Sequence, residues 1–397
     1  MNFRRLENAS LDNKTALVRV DFNVPVGEGG GITDDTRLRV AVPTIQALQK
    51  AGAKVVLFSH FGRPKGEVDP ALSLGFLTEP LSQLIGAPVS FCSELTGQAA
   101  RDAVNAMSPG DVLLMENTRF LPGETTNNPK LSAEVGTLGD VFIHDAFSAA
   151  HRAHMSSSGL ADHLPSYAGL AMERELDHLS QALEHPKSPV MAVVGGAKVS
   201  TKIDLLQNLV SKLDILVIGG GMANTFLAAK GVNVGASLCE HDLTDMARKI
   251  MAAAANASCE IMLPIDVVVA KEFKAHPESR VCTPDAVGSD EMILDAGPET
   301  VNAIADAMDR AKTLIWNGPL GAFELQPFDT ATVEAALYGA KRTRKGKLVS
   351  VAGGGDTVAA LNHAGASNDF TFISTAGGAF LEWMEGKALP GVKAISD

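Results

Sequence analysis

The 397-residue chain is poor in cysteine, in aromatic side chains and in net positive charge, and each shortage excludes something. Its four cysteines, Cys92, Cys239, Cys259 and Cys282, stand far apart with no C-x-x-C spacing, so neither a zinc site nor a disulfide framework is indicated. Aromatic residues make up only 5%, while Ala, Val, Leu and Gly abound, a composition suited to closely packed α/β layers. A net charge of −12 argues against a general nucleic-acid or membrane-surface binder, although a local basic pocket stays open. No apolar run approaches the ~20 residues of a membrane span. The opening MNFRRLENAS lacks the apolar core of a secretory leader, so a cytoplasmic protein is expected.

What is present is ample core material, 46% hydrophobic residues against 20% charged, in a chain longer than one core usually serves. Two domains are therefore expected. Near the midpoint lies VMAVVGGAKVSTKIDLL, Val190–Leu206. An apolar run breaks at Gly195-Gly196 and resumes with helical spacing at Ile203, Leu205 and Leu206. Strand, glycine turn and helix aim backbone N–H groups and a helix start at an anion. If the turn leads into a helix, Lys198 and Lys202 lie on one face, where both could reach one phosphate chain. No Walker A pattern can be read here.

Before this stretch, strands are expected at Thr15–Val20, Lys54–Ser59, Val89–Cys92, Asp111–Glu116 and Asp140–His144. Helices are expected at Thr36–Ala51, Gly75–Ile85, Glu94–Met107 and Leu131–Leu138. Such alternation predicts a doubly wound parallel sheet with ligands beyond the carboxyl ends of its strands. Those ends carry Asp21-Phe22-Asn23 with Arg37 beyond, His60-Phe61-Gly62-Arg63, Asn117-Thr118-Arg119 and Asp145 followed by His151-Arg152. Four arginines on one edge of an acidic protein suit a small, highly anionic ligand. A single such arginine would be read as a solvated loop charge. His144 and His154 are read as structural histidines.

Leu170–Glu184 has helical spacing and ends before His185-Pro186-Lys187-Ser188-Pro189; it is read as an interdomain helix, with Pro186–Pro189 as the boundary. In the second half, strands are expected at Ile215–Ile218, Glu260–Ala270, Thr313–Trp316, Lys347–Ala352 and Phe370–Ser374, with a helix at Met222–Lys230. Gly195-Gly196, Gly219-Gly220-Gly221, Asn317-Gly318-Pro319, Gly353-Gly354-Gly355 and Gly377-Gly378 follow strands, making a backbone-lined cleft suited to a nucleotide. The dinucleotide pattern G-x-G-x-x-G fails at Asn224. Asp356 could hold Mg²⁺ beside phosphates, with Thr357 donating to them, or could simply cap a helix. Glu324 could accept from ribose hydroxyls or merely be solvated.

Taken together, RVDFNVP (Arg19–Pro25), SHFGRP (Ser59–Pro64), MENTRF (Met115–Phe120), HDAFSAAHRAH (His144–His154), GGAKVSTK (Gly195–Lys202), GGGMANTFLAAKG (Gly219–Gly231), WNGPLGAFE (Trp316–Glu324), GGGDT (Gly353–Thr357) and STAGGAFLEWMEG (Ser374–Gly386) are jointly specific. In these segments the chain resembles the phosphoglycerate kinases of bacterial type over nearly its whole length. The resemblance implies two Rossmann-like parallel-sheet domains joined by an interdomain helix and hinge. Residues 1–169 with a returning tail, 388–397, would bind phosphoglycerate; 170–186 would link; 187–387 would bind MgATP or MgADP. It further implies that Asp21, Phe22, Asn23, Arg37, His60, Phe61, Gly62, Arg63, Arg119 and Arg152 hold 3-phosphoglycerate. Arg37, Lys198, Gly377 and Gly378 would serve the transferred phosphoryl group. Gly195, Gly196, Lys198, Lys202, Gly219, Gly220, Asn317, Gly318, Pro319, Glu324, Gly354, Gly355, Asp356 and Thr357 would hold the nucleotide, with Asp356 on Mg²⁺.

The implied partners are small molecules alone, with no nucleic acid and no membrane, and the implied state is a monomer. One departure stands out. Ala376 occupies a position where the family usually has glycine, keeping an N–H donor but giving up positive φ. The implied reaction is phosphoryl transfer to an already ionised carboxylate, which needs no general base. The competing expectations are a nicotinamide-dependent dehydrogenase of a small phosphorylated acid, and a non-catalytic anion-binding protein.

Overall fold

The computed structural model describes residues 2–396; Met1 and Asp397, the outer ends of the expected first domain and of its tail, lie outside the described residues. The chain forms two compact units, Met1–Asp177 with Ala388–Asp397, and His178–Lys387. The division between them falls inside the helix Leu170–Leu183.

In the first unit, β1 (Thr15–Arg19), β2 (Lys54–Phe58), β3 (Val89–Cys92), β4 (Val112–Met115), β5 (Val141–His144) and β6 (Ser166–Ala168) form one parallel sheet in the order β3-β4-β2-β1-β5-β6. Both faces are covered. Leu17, Val56, Leu113 and Phe142 enter one core cluster, while Val18, Val55, Leu57, Leu114 and Ile143 enter the other. Alternate residues of one strand thus serve opposite cores, which is why these strands read as unbroken apolar runs. The helix Thr36–Lys50 lays Leu38, Ala41, Ile45 and Leu48 against the sheet at helical spacing. The chain end belongs to this unit as well: Arg4 N–H donates to Ile395 O at 2.8 Å and Gly391 N–H to Ala150 O at 2.8 Å.

The second unit repeats the plan. β7 (Val190–Val194), β8 (Ile215–Ile218), β9 (Glu260–Met262), β13 (Thr313–Asn317), β14 (Val349–Gly353) and β15 (Phe372–Ser374) form a parallel sheet ordered β15-β14-β13-β7-β8-β9. Beside it stands an antiparallel sheet of β10 (Val267–Ala270), β11 (Ser279–Cys282) and β12 (Met292–Ala296), ordered β11-β10-β12.

The single strand expected at Glu260–Ala270 is therefore two strands in two sheets. Pro264 offers no ladder N–H. Asp266 is diverted to the helix Pro298–Arg310, where it accepts from Glu299 N–H at 3.0 Å and Thr300 N–H at 2.7 Å. Sequence periodicity also missed the short edge strand β6 and the antiparallel sheet. The other expected strands and helices stand within one to three residues of the positions read from the sequence, apart from the turn that carries the lysines.

Candidate functional site

The four strand ends singled out in the first unit belong to β4, β2, β1 and β5, which are neighbours in that order. Adjacency, invisible in the sequence, converges the arginines. Arg37 donates to Asp21 Oδ2, which also accepts from the Ser148 hydroxyl at 2.5 Å. Burial alone would push the Asp21 carboxyl up; Arg37, His60 (which is protonated only at the low pH where this carboxyl titrates), Ser148 and Arg19 outweigh it and hold it at about 2. Asn23 Oδ1 accepts from Gly62 N–H at 2.9 Å, and Arg119 Nη1 donates to Gly62 O at 2.6 Å. Arg152 Nε donates to His151 Nε2 at 3.0 Å, and Arg63 is exposed. Among the described residues, Arg37 alone of these four arginines forms an ion pair with a carboxylate. Burial, then crowding by Arg19, Arg152 and Arg63, lowers Arg119 to about 10. Positive charge gathered without matching carboxylates calls for an anion.

Beneath this surface lies Arg19, 1% exposed, a residue of the RVDFNVP segment that no spacing or residue type singles out. Its Nη2 lies 2.9 Å from His60 Nδ1. Arginine nitrogens only donate, so Nδ1 is the acceptor and His60 carries its proton on Nε2. Burial and Arg19 also depress the imidazole well below its ordinary value. His60 is thus a neutral N–H donor. Phe22 sends its ring into the core and uses its N–H on Ser59 Oγ at 2.8 Å, while Phe61 packs against Phe76. Asn117 ties the β2 and β4 ends together: it accepts from Phe61 N–H at 3.2 Å and donates to Phe61 O at 2.7 Å. His144 and His154 are buried, and burial pushes them down to about 3 and about 4.

In the second unit, the glycine-rich ends belong to β15, β14, β13, β7 and β8, again consecutive in the sheet. A cavity of about 560 Å³ is lined by Gly196, Gly220, Asn224, Leu238, Phe273, Pro319, Leu320, Glu324 and Asp356, among others. Gly195 and Gly318 face each other so closely that a Cβ on either would run into the other's loop backbone, and Gly318 has φ +109°. These glycines let two loops meet. Asn317 Nδ2 donates to Gly353 O at 2.8 Å, and Gly318 N–H donates to Thr357 Oγ1 at 2.7 Å.

Lys202 donates to Gly195 O, to Asn317 O at 2.9 Å and to Asn317 Oδ1 at 2.6 Å. Burial lowers it to about 8, against the pull of Asp356. The shared helical face expected for Lys198 and Lys202 does not form. A 3₁₀ turn, Val199–Thr201, intervenes before the helix Ile203–Leu209, leaving Lys198 exposed ahead of the turn and Lys202 half-buried after it. That turn is held from elsewhere. Glu240 accepts from Ser200 N–H at 3.0 Å and from Ser200 Oγ at 2.5 Å, contacts that no spacing rule suggested.

Asp356 is not a helix cap: Gly354, φ +97°, holds that position, and Asp356 lies inside the helix Gly355–His363 with its carboxylate exposed. Glu324 is also exposed at the cavity edge. Gly355 lies in the same helix start, while Gly377 and Gly378 begin the helix Gly378–Met384. Ala376 is absent from the residues with positive φ, and its N–H donates to Ser374 Oγ at 3.2 Å. Alanine is therefore unstrained there, and its N–H is already engaged within the chain.

Among the described residues, no group of three or more His, Cys, Asp or Glu side chains forms a metal cage. Mg²⁺ delivered with nucleotide phosphates needs only one or two carboxylates, and the exposed Asp356 fits that role.

Residues 6–387 match the family model described as phosphoglycerate kinase. The chain is 61% identical over 392 residues to the phosphoglycerate kinase of Maricaulis maris, covering 99% of this chain and 97% of that one. It is 59% identical to that of Zymomonas mobilis, over 100% of both chains. The solved phosphoglycerate kinase of Coxiella burnetii superposes with a TM-score of 0.93 at 42% identity, covering 99% and 98% of the two chains. That of Pyrococcus horikoshii gives a TM-score of 0.79 at 30% identity, with the same coverage.

Proposed function

The chain belongs to the phosphoglycerate kinase family, and from that premise we propose how its residues divide the work. Its reaction is the reversible, glycolytic phosphoryl transfer between 1,3-bisphosphoglycerate with ADP and 3-phosphoglycerate with ATP. Family membership replaces both the dehydrogenase and the non-catalytic alternatives.

3-Phosphoglycerate lies on the first unit's arginine edge. Arg37, Arg63, Arg119 and Arg152 hold its anionic groups, Asn23 orients it and neutral His60 donates from Nε2. MgATP or MgADP occupies the second unit's cavity. Glu324 takes the ribose, Lys202 and Thr357 the phosphates, and Asp356 the Mg²⁺ that the nucleotide brings. The observation that carries this division is the convergence of four arginines with one carboxylate partner among them, in a unit separate from the glycine-lined cavity.

The attacking carboxylate of 3-phosphoglycerate is already ionised, so the protein supplies position and charge rather than a base. Arg37 and Lys198 neutralise charge on the moving phosphoryl group, with Gly377 and Gly378 offering backbone N–H groups. In-line transfer between ligands held on different units requires the units to close over them and exclude water. Residues 1–169 with 388–397 then act as the phosphoglycerate domain, 187–387 as the nucleotide domain and 170–186 as the link. We place the enzyme in the cytoplasm as a monomer acting on small molecules; among the described residues no helix is long and apolar enough to cross a membrane.

Calorimetric titration of each ligand alone tests the division. Arg63→Ala and Arg119→Ala should each weaken 3-phosphoglycerate by about 1–3 kcal/mol, the worth of a hydrogen bond to a charged group, and leave MgADP unaffected. Thr357→Val should do the reverse. Arginine variants that lose MgADP while keeping 3-phosphoglycerate would overturn it.

A further inference from the structure

The first unit buries a carboxylate that neither ligand binding nor the transfer step uses. Glu124, between the 3₁₀ turn Thr118–Phe120 and the helix Pro129–Gly136, is 0% exposed. A carboxylate so placed is costly unless its oxygens are hydrogen-bonded. Here Oε2 accepts from Ser156 N–H at 3.1 Å, while Oε1 accepts from the Ser156 hydroxyl at 2.6 Å and from the Thr118 hydroxyl at 3.3 Å. The Glu124 carbonyl accepts in addition from Met155 N–H at 2.9 Å.

These bonds join two segments that the sequence keeps apart. Thr118 immediately precedes Arg119 in the turn after β4. Ser156 belongs to the stretch after β5 that carries Arg152, and the adjoining Ser157 hydroxyl donates to Arg152 O at 2.7 Å. Burial lowers Arg119 to about 10 and lowers Arg19 as well; the Glu124 charge opposes both shifts, which puts it within electrostatic reach of the arginine edge. It does not pair with an arginine. Among the described residues, the basic group within 4 Å of it is His154 Nδ1 at 3.9 Å, on an imidazole that burial pushes down to about 4 and so keeps neutral.

We propose that Glu124 is a positioning residue for the anion site: by clasping Thr118 and Ser156 it sets the spacing between Arg119 and Arg152. It acts through its hydrogen bonds rather than its charge, and the two effects of removing it have opposite signs. Loss of a negative charge near the arginines would tighten an anion. Loss of the clasp lets the arginines drift apart and weakens it. The inference rests on 3-phosphoglycerate binding at the arginine edge.

The test is calorimetric titration of 3-phosphoglycerate and of MgADP into the wild type, Glu124→Ala and Glu124→Gln. Glu124→Ala should weaken 3-phosphoglycerate by roughly tenfold to a hundredfold, on the order of one hydrogen bond to a charged group, and leave MgADP unchanged. Glu124→Gln should recover most of that loss, because its amide keeps an acceptor for Ser156 N–H and both hydroxyls can turn to accept from its NH₂. Tighter or unchanged 3-phosphoglycerate binding in a folded Glu124→Ala, or a glutamine variant as weak as alanine, overturns the proposal. Thermal unfolding verifies that each variant is folded. If alanine is not tolerated, Thr118→Val combined with Ser156→Ala cuts the two hydroxyl ties: weaker 3-phosphoglycerate supports the clasp and unchanged affinity overturns it. In an Arg119→Ala background Glu124→Ala should add little, since no pair of arginines is left to space; fully additive losses overturn the proposal. If Arg119→Ala alone leaves 3-phosphoglycerate affinity unchanged, the assignment of the arginine edge fails first and the proposal falls with it.

Discussion

Asp21 concentrates the electrostatics of the first unit in one carboxylate. It is nearly buried, yet it stays ionised because Arg37, Ser148 and the Asn23 N–H all donate to it. Its value falls from 3.8 to about 2, in spite of a burial that favours the neutral acid. A carboxyl lowered by folding binds fewer protons folded than unfolded, so it stabilises the native state above about pH 4. That contribution is lost as pH falls from there through about 2. The drop corresponds to about 2 kcal/mol. Asp21→Asn should therefore cost about that much in urea unfolding at pH 7, and the gap to wild type should narrow as pH is lowered toward 3. A gap independent of pH would mean that the Arg37 pair adds nothing to stability. In the same cluster Arg19 occupies His60 Nδ1, which leaves Nε2–H as an uncharged donor toward the anion proposed there.

Among the elements, strand ends were the most legible feature and the turns between them the least. Apolar runs buried on both sheet faces announced β1, β2, β4, β5, β7, β8, β13 and β14, and the residues after them make up the candidate site. Which ends adjoin was not legible, because sheet order depends on crossovers that the sequence does not display. Local chemistry also failed where a distant partner decides. Pro264 and the capping of a remote helix by Asp266 split one expected strand into two. Lys198 and Lys202 parted because Glu240, from another segment, pins Ser200 and draws the backbone into a 3₁₀ turn. Asp356 lost its capping role to Gly354, whose positive φ suits the position without a side chain. Arg19 could not be picked out because only its burial, not its type, sets it apart.

The Glu240 clamp leads to a prediction at this scale. Glu240→Ala should release the turn and lower kcat roughly tenfold to a hundredfold, the cost of misplacing a group by about an ångström, with little change in nucleotide affinity. Combined with Lys198→Ala it should add little further loss, since both act through the same lysine. Fully additive losses would place Glu240 outside the positioning of Lys198.

At the scale of the whole molecule, two units of similar plan present opposite chemistries from equivalent places. Each is a six-stranded parallel sheet with its candidate site residues beyond the carboxyl ends of consecutive strands. One edge is built from long cationic side chains, the other from glycines and backbone. On the division of work proposed above, a chain of net charge −12 confines its attraction for anions to these two places, and the proposed transfer step uses one cation from each. The decisive measurement is MgATP-dependent phosphorylation of 3-phosphoglycerate in the wild type, Arg37→Ala and Lys198→Ala, with the affinity of both ligands determined for each. The wild type should turn over, and each variant should keep both affinities within about tenfold while kcat falls about 10²–10³-fold, as when a transition-state donor is removed. Undiminished kcat in either variant, or a loss confined to ligand affinity, would contradict a transfer step that depends on one cation from each unit.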